Sequence, residues 1–188
     1  MNKIEPMGDF DLEEFKPIKT LTKQSYANKV EYGLFKGQEV VVKRYIIPLK
    51  GANDFRQEVS ALNILKDNLN TPNLILCDEK KLLVVMSYCG AQSGYTNAMR
   101  GVLNVIPPDF LKKVINLYNQ IGEDYGVWHG DLHMGNITLI GDKLYLIDWA
   151  RFGTKPSPKI EKWIMRLWKA NGCGDFPQHL GLGSGAAK

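Results

Sequence analysis

Cysteine and histidine are both scarce in this chain, three of each in 188 residues, and no apolar run approaches the length of a bilayer span. Each shortage removes a class of protein. Cys77, Cys89 and Cys173 are odd in number, form no C-x-x-C pair and have no histidines at metal-binding spacing. Neither a disulfide framework nor a zinc site is therefore expected, and a reducing, cytoplasmic compartment fits best. No stretch reaches the roughly 18 consecutive apolar residues of a transmembrane helix, so no membrane is expected among the partners. The N-terminus is acidic and polar rather than basic and then apolar, unlike a cleaved secretory signal, which leaves open only export by a machine that reads other signals. Low-complexity tracts are missing too, and 44% hydrophobic with 23% charged residues is an ordinary globular composition. A net charge of +4 is too mild to name nucleic acid as a partner.

What is present is a sheet-rich first half. Residues 1–20 read as a lead-in crowded with Asp9, Asp11, Glu13 and Glu14. Val30 to Phe35 and Val40 to Ile47 are β-branched and aromatic, with Lys36-Gly37-Gln38-Glu39 between them, which predicts a hairpin ended by Pro48. Asn53 or Asp54 can cap a helix, with Gln57 completing a capping box, and Phe55, Val59, Leu62 and Leu65 form its apolar face. Glu58 lies on that same face. A carboxylate aimed at a core needs a cationic partner. Leu74 to Cys77 and Leu82 to Met86 predict a second hairpin around Asp78 to Lys81, and Gly90 to Asn104 is a polar, glycine-containing connector.

The second half opens on a helix predicted from Asp109 to about Ile121, after Pro107-Pro108. It then concentrates its chemistry in His129-Gly130-Asp131-Leu132-His133-Met134-Gly135-Asn136, followed by Ile137 to Ile140, the turn Gly141-Asp142-Lys143, and Leu144 to Asp148. If Ile140 pairs with Leu144, the same register sets Asn136 opposite Asp148, with β-carbons about 5 Å apart, close enough to share a metal ion. Lys159 to Ala170 predicts an amphipathic helix with Ile160, Trp163, Ile164, Leu167 and Trp168 inward, stopped at Asn171-Gly172. Lys155, Lys159, Lys162, Arg166 and Lys169 form a basic stripe, read as a solvated face or a surface for an acidic partner. Residues 181–188 read as a flexible tail.

The block from His129 to Asn136 resembles the catalytic loop of the protein-kinase-like superfamily. That resemblance implies an α+β, bilobal kinase-like fold over residues 21–180, with a small β-rich N-lobe (about 21–89) holding one helix and a strongly reduced helical C-lobe (about 90–180). It implies ATP and magnesium as cofactors. By the same resemblance Asp131 orients or deprotonates the attacking hydroxyl, Asn136 and Asp148 bind metal, and Lys43, in Val41-Val42-Lys43, grips phosphates while paired with Glu58. Met86 would be the gatekeeper, and Tyr88 and Cys89 the hinge that meets adenine. Lys23, Ser25 and Asn28 stand where the family has phosphate-loop glycines, so Ser25 and Asn28 would offer side-chain hydrogen bonds there. His133 replaces the lysine usual in Ser/Thr kinases, there is no A-P-E after Asp148, and the stretch beyond it has room for one helix and a tail. His129 is expected to hold the loop by backbone hydrogen bonds.

The compact plan is similar to RIO and piD261-like atypical kinases and to small bacterial effector kinases, among them a family that phosphorylates the host chaperone Hsp90. The expected function is transfer of the γ-phosphate of ATP to a Ser/Thr hydroxyl of one specific folded protein, such as that chaperone, by a monomeric enzyme with no nucleic-acid partner beyond weak binding to the basic stripe, acting in the cytoplasm or secreted into a host cytosol. The alternatives are a small-molecule kinase of the aminoglycoside or choline type, which shares His129-Gly130-Asp131, and a pseudokinase binding module. A metal phosphoesterase, suggested by Gly130-Asp131-Leu132-His133, needs more histidines than the single one, His179, outside the loop.

Overall fold

Alternating β-branched residues build a five-stranded antiparallel sheet of β1 (Phe15–Thr20), β2 (Asn28–Phe35), β3 (Gln38–Tyr45), β4 (Leu74–Asp78) and β5 (Leu83–Ser87), in the order β1-β2-β3-β5-β4. The structure is a computed structural model that describes residues 14–22, 28–92 and 106–176. Its chain divides into two units: one reaches Asp67 and resumes over Pro72–Tyr88, and the other takes Asn68–Thr71 and the residues from Cys89 onward. Ser25 and Lys23 lie outside the described residues, as do the acidic residues before Glu14, the tail, and most of the connector after Gly90.

In the first unit the β2–β3 turn is tighter than the four residues from Lys36 to Glu39. Lys36 and Gly37 alone make it, with φ of 50° and 80°, while Gln38 and Glu39 already pair with Phe35 and Leu34. Two consecutive left-handed residues match the right-handed twist of a two-residue hairpin. Strand alternation then sorts β3 by face. Val40 and Val42 join Phe15, Phe35, Leu76, Leu83 and Val85 in one apolar cluster, which leaves Val41, Lys43 and Tyr45 on the face where α1 (Pro48–Ile64) packs.

That helix starts earlier than the capping box at Asp54 and Gln57 suggested. Pro48 occupies its first turn, Ile47 is an extended N-cap with no side-chain bond, and Gly51 N–H donates to the Ile47 carbonyl at 2.6 Å. A proline whose φ is already helical, and which has no N–H to satisfy, can open a helix without a side-chain cap. Asn53 and Asp54 therefore fall within the helix. Phe55, Val59, Leu62 and Leu65 are buried, and each such side chain contributes about 1.5–3 kcal/mol.

The second unit is built on α2 (Pro108–Tyr125), which extends past Ile121 to a left-handed Gly126 and buries Leu111, Val114, Ile115, Leu117, Tyr118 and Ile121. A three-stranded antiparallel sheet, β6 (Ala91–Gln92), β8 (Ile137–Ile140) and β9 (Lys143–Leu146), runs in the order β6-β8-β9. A short ladder joins β7 (Trp128–His129) to β10 (Phe152–Gly153). Ahead of β6, Gly90 has φ 86°, and a β-carbon there would sit 1.9 Å from the Leu139 carbonyl oxygen, so only glycine fits. Last comes α3 (Pro158–Ala170), with Ile160, Ile164 and Trp168 buried and Trp163 and Leu167 half-buried. Asn171 ends it and donates to the Leu167 carbonyl at 2.8 Å, while its oxygen accepts from Ile106 N–H at 2.7 Å. No described helix is long and apolar enough to cross a membrane.

Candidate active site

The first unit brings Lys43 and Glu58 together. Lys43 sits on the helix-facing side of β3 and Glu58 on the sheet-facing side of α1, with Nζ 2.8 Å from Oε2 and both side chains buried. The Tyr45 hydroxyl donates to the same carboxylate oxygen, and the Tyr45 ring lies 5.1 Å from the Lys43 ammonium and edge-on to Phe55. A buried carboxylate thus meets a cation and a hydroxyl, the arrangement needed to offset its desolvation.

Other candidates in this unit are less telling. Met86 is buried in β5, paired with Val41 and Leu74. Tyr88 donates its N–H to the Glu39 carbonyl at 3.3 Å, and its ring lies 4.5 Å from that of Tyr32. Asn28 opens β2 opposite Tyr45, with its Oδ1 buried and without a hydrogen-bond partner among the described residues.

In the second unit the loop after β7 is held by a fully buried histidine. His129 Nδ1 accepts the Asp131 N–H at 3.2 Å, which leaves Nε2 to carry the proton and donate to the Ile147 carbonyl at 2.9 Å. Burial holds this imidazole below its ordinary pKa, hence neutral, and the Trp149 ring lies 4.6 Å away. One ring therefore ties the loop of Asp131 to the strand end that precedes Asp148. A second tie is Gly130 N–H to the Arg151 carbonyl at 2.8 Å.

Asn136 is buried at the end of a 3-10 turn, Met134–Asn136, and donates its amide to the Asp131 carbonyl at 3.0 Å. His133 starts that turn, its Nδ1 accepting the Gly135 N–H at 3.0 Å, a capping role that its sequence position did not reveal. Asp131 is only partly exposed, at 30%, and two cations flank it: Arg151 Nη1 lies 3.4 Å from Oδ2 and Lys159 Nζ 3.8 Å from Oδ1. Neither cation was singled out as a neighbour of Asp131 from sequence. Cys89 is buried at the start of this unit.

One expectation is corrected. The β8–β9 register pairs Ile140 with Lys143 and Ile137 with Leu146, so the turn is Gly141-Asp142 alone, and Ile147 N–H donates to the Asn136 carbonyl at 3.0 Å. Asn136 therefore stands opposite Ile147, one residue before Asp148. Asp148 itself has φ 64°, a conformation that breaks strand alternation and re-aims its side chain, so the two are not cross-strand neighbours.

A sheet-rich unit with one helix and a buried Lys–Glu pair, followed by a unit whose histidine-anchored loop carries Asp131 and Asn136 ahead of Asp148, defines the protein-kinase-like fold. The family model of the RIO domain matches residues 21–166. The chain belongs to the RIO-domain family, which are atypical protein kinases, and it is thus an ATP-dependent phosphotransferase. No curated protein matches it significantly.

The residues fit the magnesium that such chemistry uses. Because the amide nitrogen of Asn136 is committed to the Asp131 carbonyl, its oxygen is the ligand atom left to offer, and a carboxylate at Asp148 is a second hard oxygen donor. Among the described residues no group of three or more His, Cys, Asp or Glu gathers to make an all-protein metal cage. Magnesium seldom uses such a cage and takes one or two carboxylates with phosphate oxygens and water.

Two outcomes follow from this geometry. Glu58→Ala alone should cost about 3–5 kcal/mol in urea denaturation, because Lys43 is left buried without its partner, whereas Lys43→Met with Glu58→Leu should cost clearly less than the two single changes added; simple additivity would contradict the pairing. Second, an unfolded histidine takes up a proton near pH 6.5 and the folded His129 does not, so stability is intact above that pH and declines below it by up to about 1.4 kcal/mol per pH unit. Between pH 7 and 5.5 the wild type should lose about 1 kcal/mol more than His129→Gln; equal losses would count against a neutral buried His129.

Proposed function

We propose that this phosphotransferase is a magnesium-dependent protein kinase that modifies a serine or threonine hydroxyl of a specific folded protein. The observation that carries the reading is Asp131: a partly exposed carboxylate, fixed through its own N–H by a buried neutral histidine and flanked by two cations. Magnesium-bound ATP would supply the γ-phosphoryl group. Lys43, held in place by Glu58, presents a positive charge for phosphate oxygens, and Asn136 and Asp148 present oxygens for the metal. Asp131 aligns the acceptor hydroxyl and accepts its proton as the oxygen bonds to phosphorus and ADP departs.

A folded protein as acceptor is favoured by family membership, since RIO-domain proteins are atypical protein kinases, and by the exposed cations that continue from Asp131 along α3. The resemblance of His129–Asn136 to the catalytic loop and the compact plan shared with small bacterial effector kinases extend the reading to a host protein such as the chaperone Hsp90. On that reading the enzyme works as a monomer in the cytoplasm that holds its target.

The test is incubation of the chain with γ-labelled ATP and a cell lysate, separating label on intact proteins from label on small molecules, with Asp131→Asn as the blank. Label is expected on few protein bands, and Asp131→Asn should lose at least about a hundredfold of it while binding magnesium-ATP within about threefold of wild type. Undiminished transfer in the variant, or label on sugars, choline or aminoglycosides instead of proteins, would overturn the reading.

A further inference from the structure

The cations on α3 form a row with a defined start. At 100° per residue, Lys159, Lys162, Arg166 and Lys169 fall within an arc of about 80° on the side opposite the buried Ile160, Ile164 and Trp168. All four are exposed. The row begins at Asp131, whose two carboxylate oxygens lie 3.8 Å from Lys159 Nζ and 3.4 Å from Arg151 Nη1. Among the described residues Lys162, Arg166 and Lys169 make no ion pair, and the one acidic residue of the helix is the half-buried Glu161. Outside the described residues, segments 23–27, 93–105 and 177–188 contain no acidic residue, and the acids lie in 1–13 as Glu5, Asp9, Asp11 and Glu13.

We propose that this row is the docking site for an acidic stretch of the acceptor protein, flanking the hydroxyl that Asp131 receives. The inference rests on the kinase reading above and adds its acceptor chemistry. From Lys159 to Lys169 the helix rises about 15 Å, which an extended chain at about 3.3 Å per residue spans with four or five residues. An acceptor carrying Glu, Asp or phosphorylated residues over that length would meet each cation in turn, with its hydroxyl at the Asp131 end. Arg151 and Lys159 would then exchange Asp131 for the nearest acid of the incoming chain, and Asp131 would be released toward the hydroxyl. An unmatched basic flank would be repelled, so the same row excludes competitors. Nucleic acid is disfavoured: the row is single file, and of the two tryptophans of the helix Trp168 is buried and Trp163 half-buried, so neither offers a fully exposed ring for base stacking.

The experiment uses the full chain, magnesium-ATP and serine peptides whose flanks are all Glu, all Ala or all Lys, with anisotropy of the labelled peptides reporting binding in parallel. The ratio of kcat/KM on Glu-flanked to Ala-flanked peptide should be about tenfold, carried by KM and reduced by salt. The binding ratio should follow it. Lys162→Gln, Arg166→Gln and Lys169→Gln together should bring both ratios close to one, and the corresponding Glu substitutions should turn preference toward the Lys-flanked peptide. These ratios are internal to each variant, so partial loss of folded protein does not mimic the effect. Ratios near one in the wild type, or unchanged in the variants, would overturn the docking site. So would a single-stranded RNA oligonucleotide that binds through these residues more tightly than the Glu-flanked peptide. Peptide binding with the expected ratio but no phosphate transferred to any protein hydroxyl would uphold the docking site and overturn the kinase reading beneath it.

Discussion

A single neutral imidazole organises the second unit. His129 is enclosed entirely, and its two ring nitrogens have opposite duties, one accepting the Asp131 N–H and the other donating to the Ile147 carbonyl. Those two bonds connect segments 18 residues apart, one carrying Asp131 and the other leading into Asp148. Because only the neutral ring can both accept and donate, burial and function are coupled: the environment that keeps the proton off Nδ1 also fixes the loop. Trp149, fully buried and donating its indole N–H to the Leu146 carbonyl at 2.8 Å, packs against the same ring and closes the unit behind it. Asp131 is thereby fixed through its own N–H and Asp148 through the strand end that precedes it, while Asn136 adds its side-chain amide to the Asp131 carbonyl.

Much of the fold was legible because it rests on local patterns. The Val-rich strands follow from alternation, and Glu58 announced itself as a charge on an apolar helical face, whereas the turn expected over Lys36 to Glu39 closes on Lys36 and Gly37 alone, with a lysine at positive φ. What escaped has identifiable causes. The start of α1 was hidden because a proline in the first turn leaves no polar cap to recognise, whereas Asn53 and Asp54 look like caps but are interior. The β8–β9 register slipped by one residue because Lys143 reads equally well as a turn residue or as the first of a strand, and only the ladder decides. The left-handed Asp148 could not be foreseen, since aspartate usually stays at negative φ.

The candidate site divides in the same way. Lys43, Glu58, Asp131, Asn136 and Asp148 stand out because their residue types and order carry chemistry. Tyr45 on Glu58, His133 capping the Met134–Asn136 turn, and Arg151 and Lys159 beside Asp131 do not, because each depends on where a long or aromatic side chain is carried by tertiary packing. Arg151 is near the Asp148 motif in sequence, yet what brings it to Asp131 is the β7–β10 ladder, a pairing of two residues on each side that no periodicity reveals. The basic stripe was visible as a pattern in the sequence, but its origin at Asp131 is structural information, and that origin turns a solvated face into a candidate acceptor surface.

Phosphoryl transfer at this site requires Asp148 as a ligand of the metal that accompanies ATP. Isothermal titration of ATP with and without magnesium, for the wild type and for Asp148→Ala, measures this directly. Magnesium should strengthen ATP binding by at least about tenfold in the wild type and by less than about twofold in the variant, as expected when a metal loses one of its two protein oxygens. The same magnesium dependence in both proteins would contradict it.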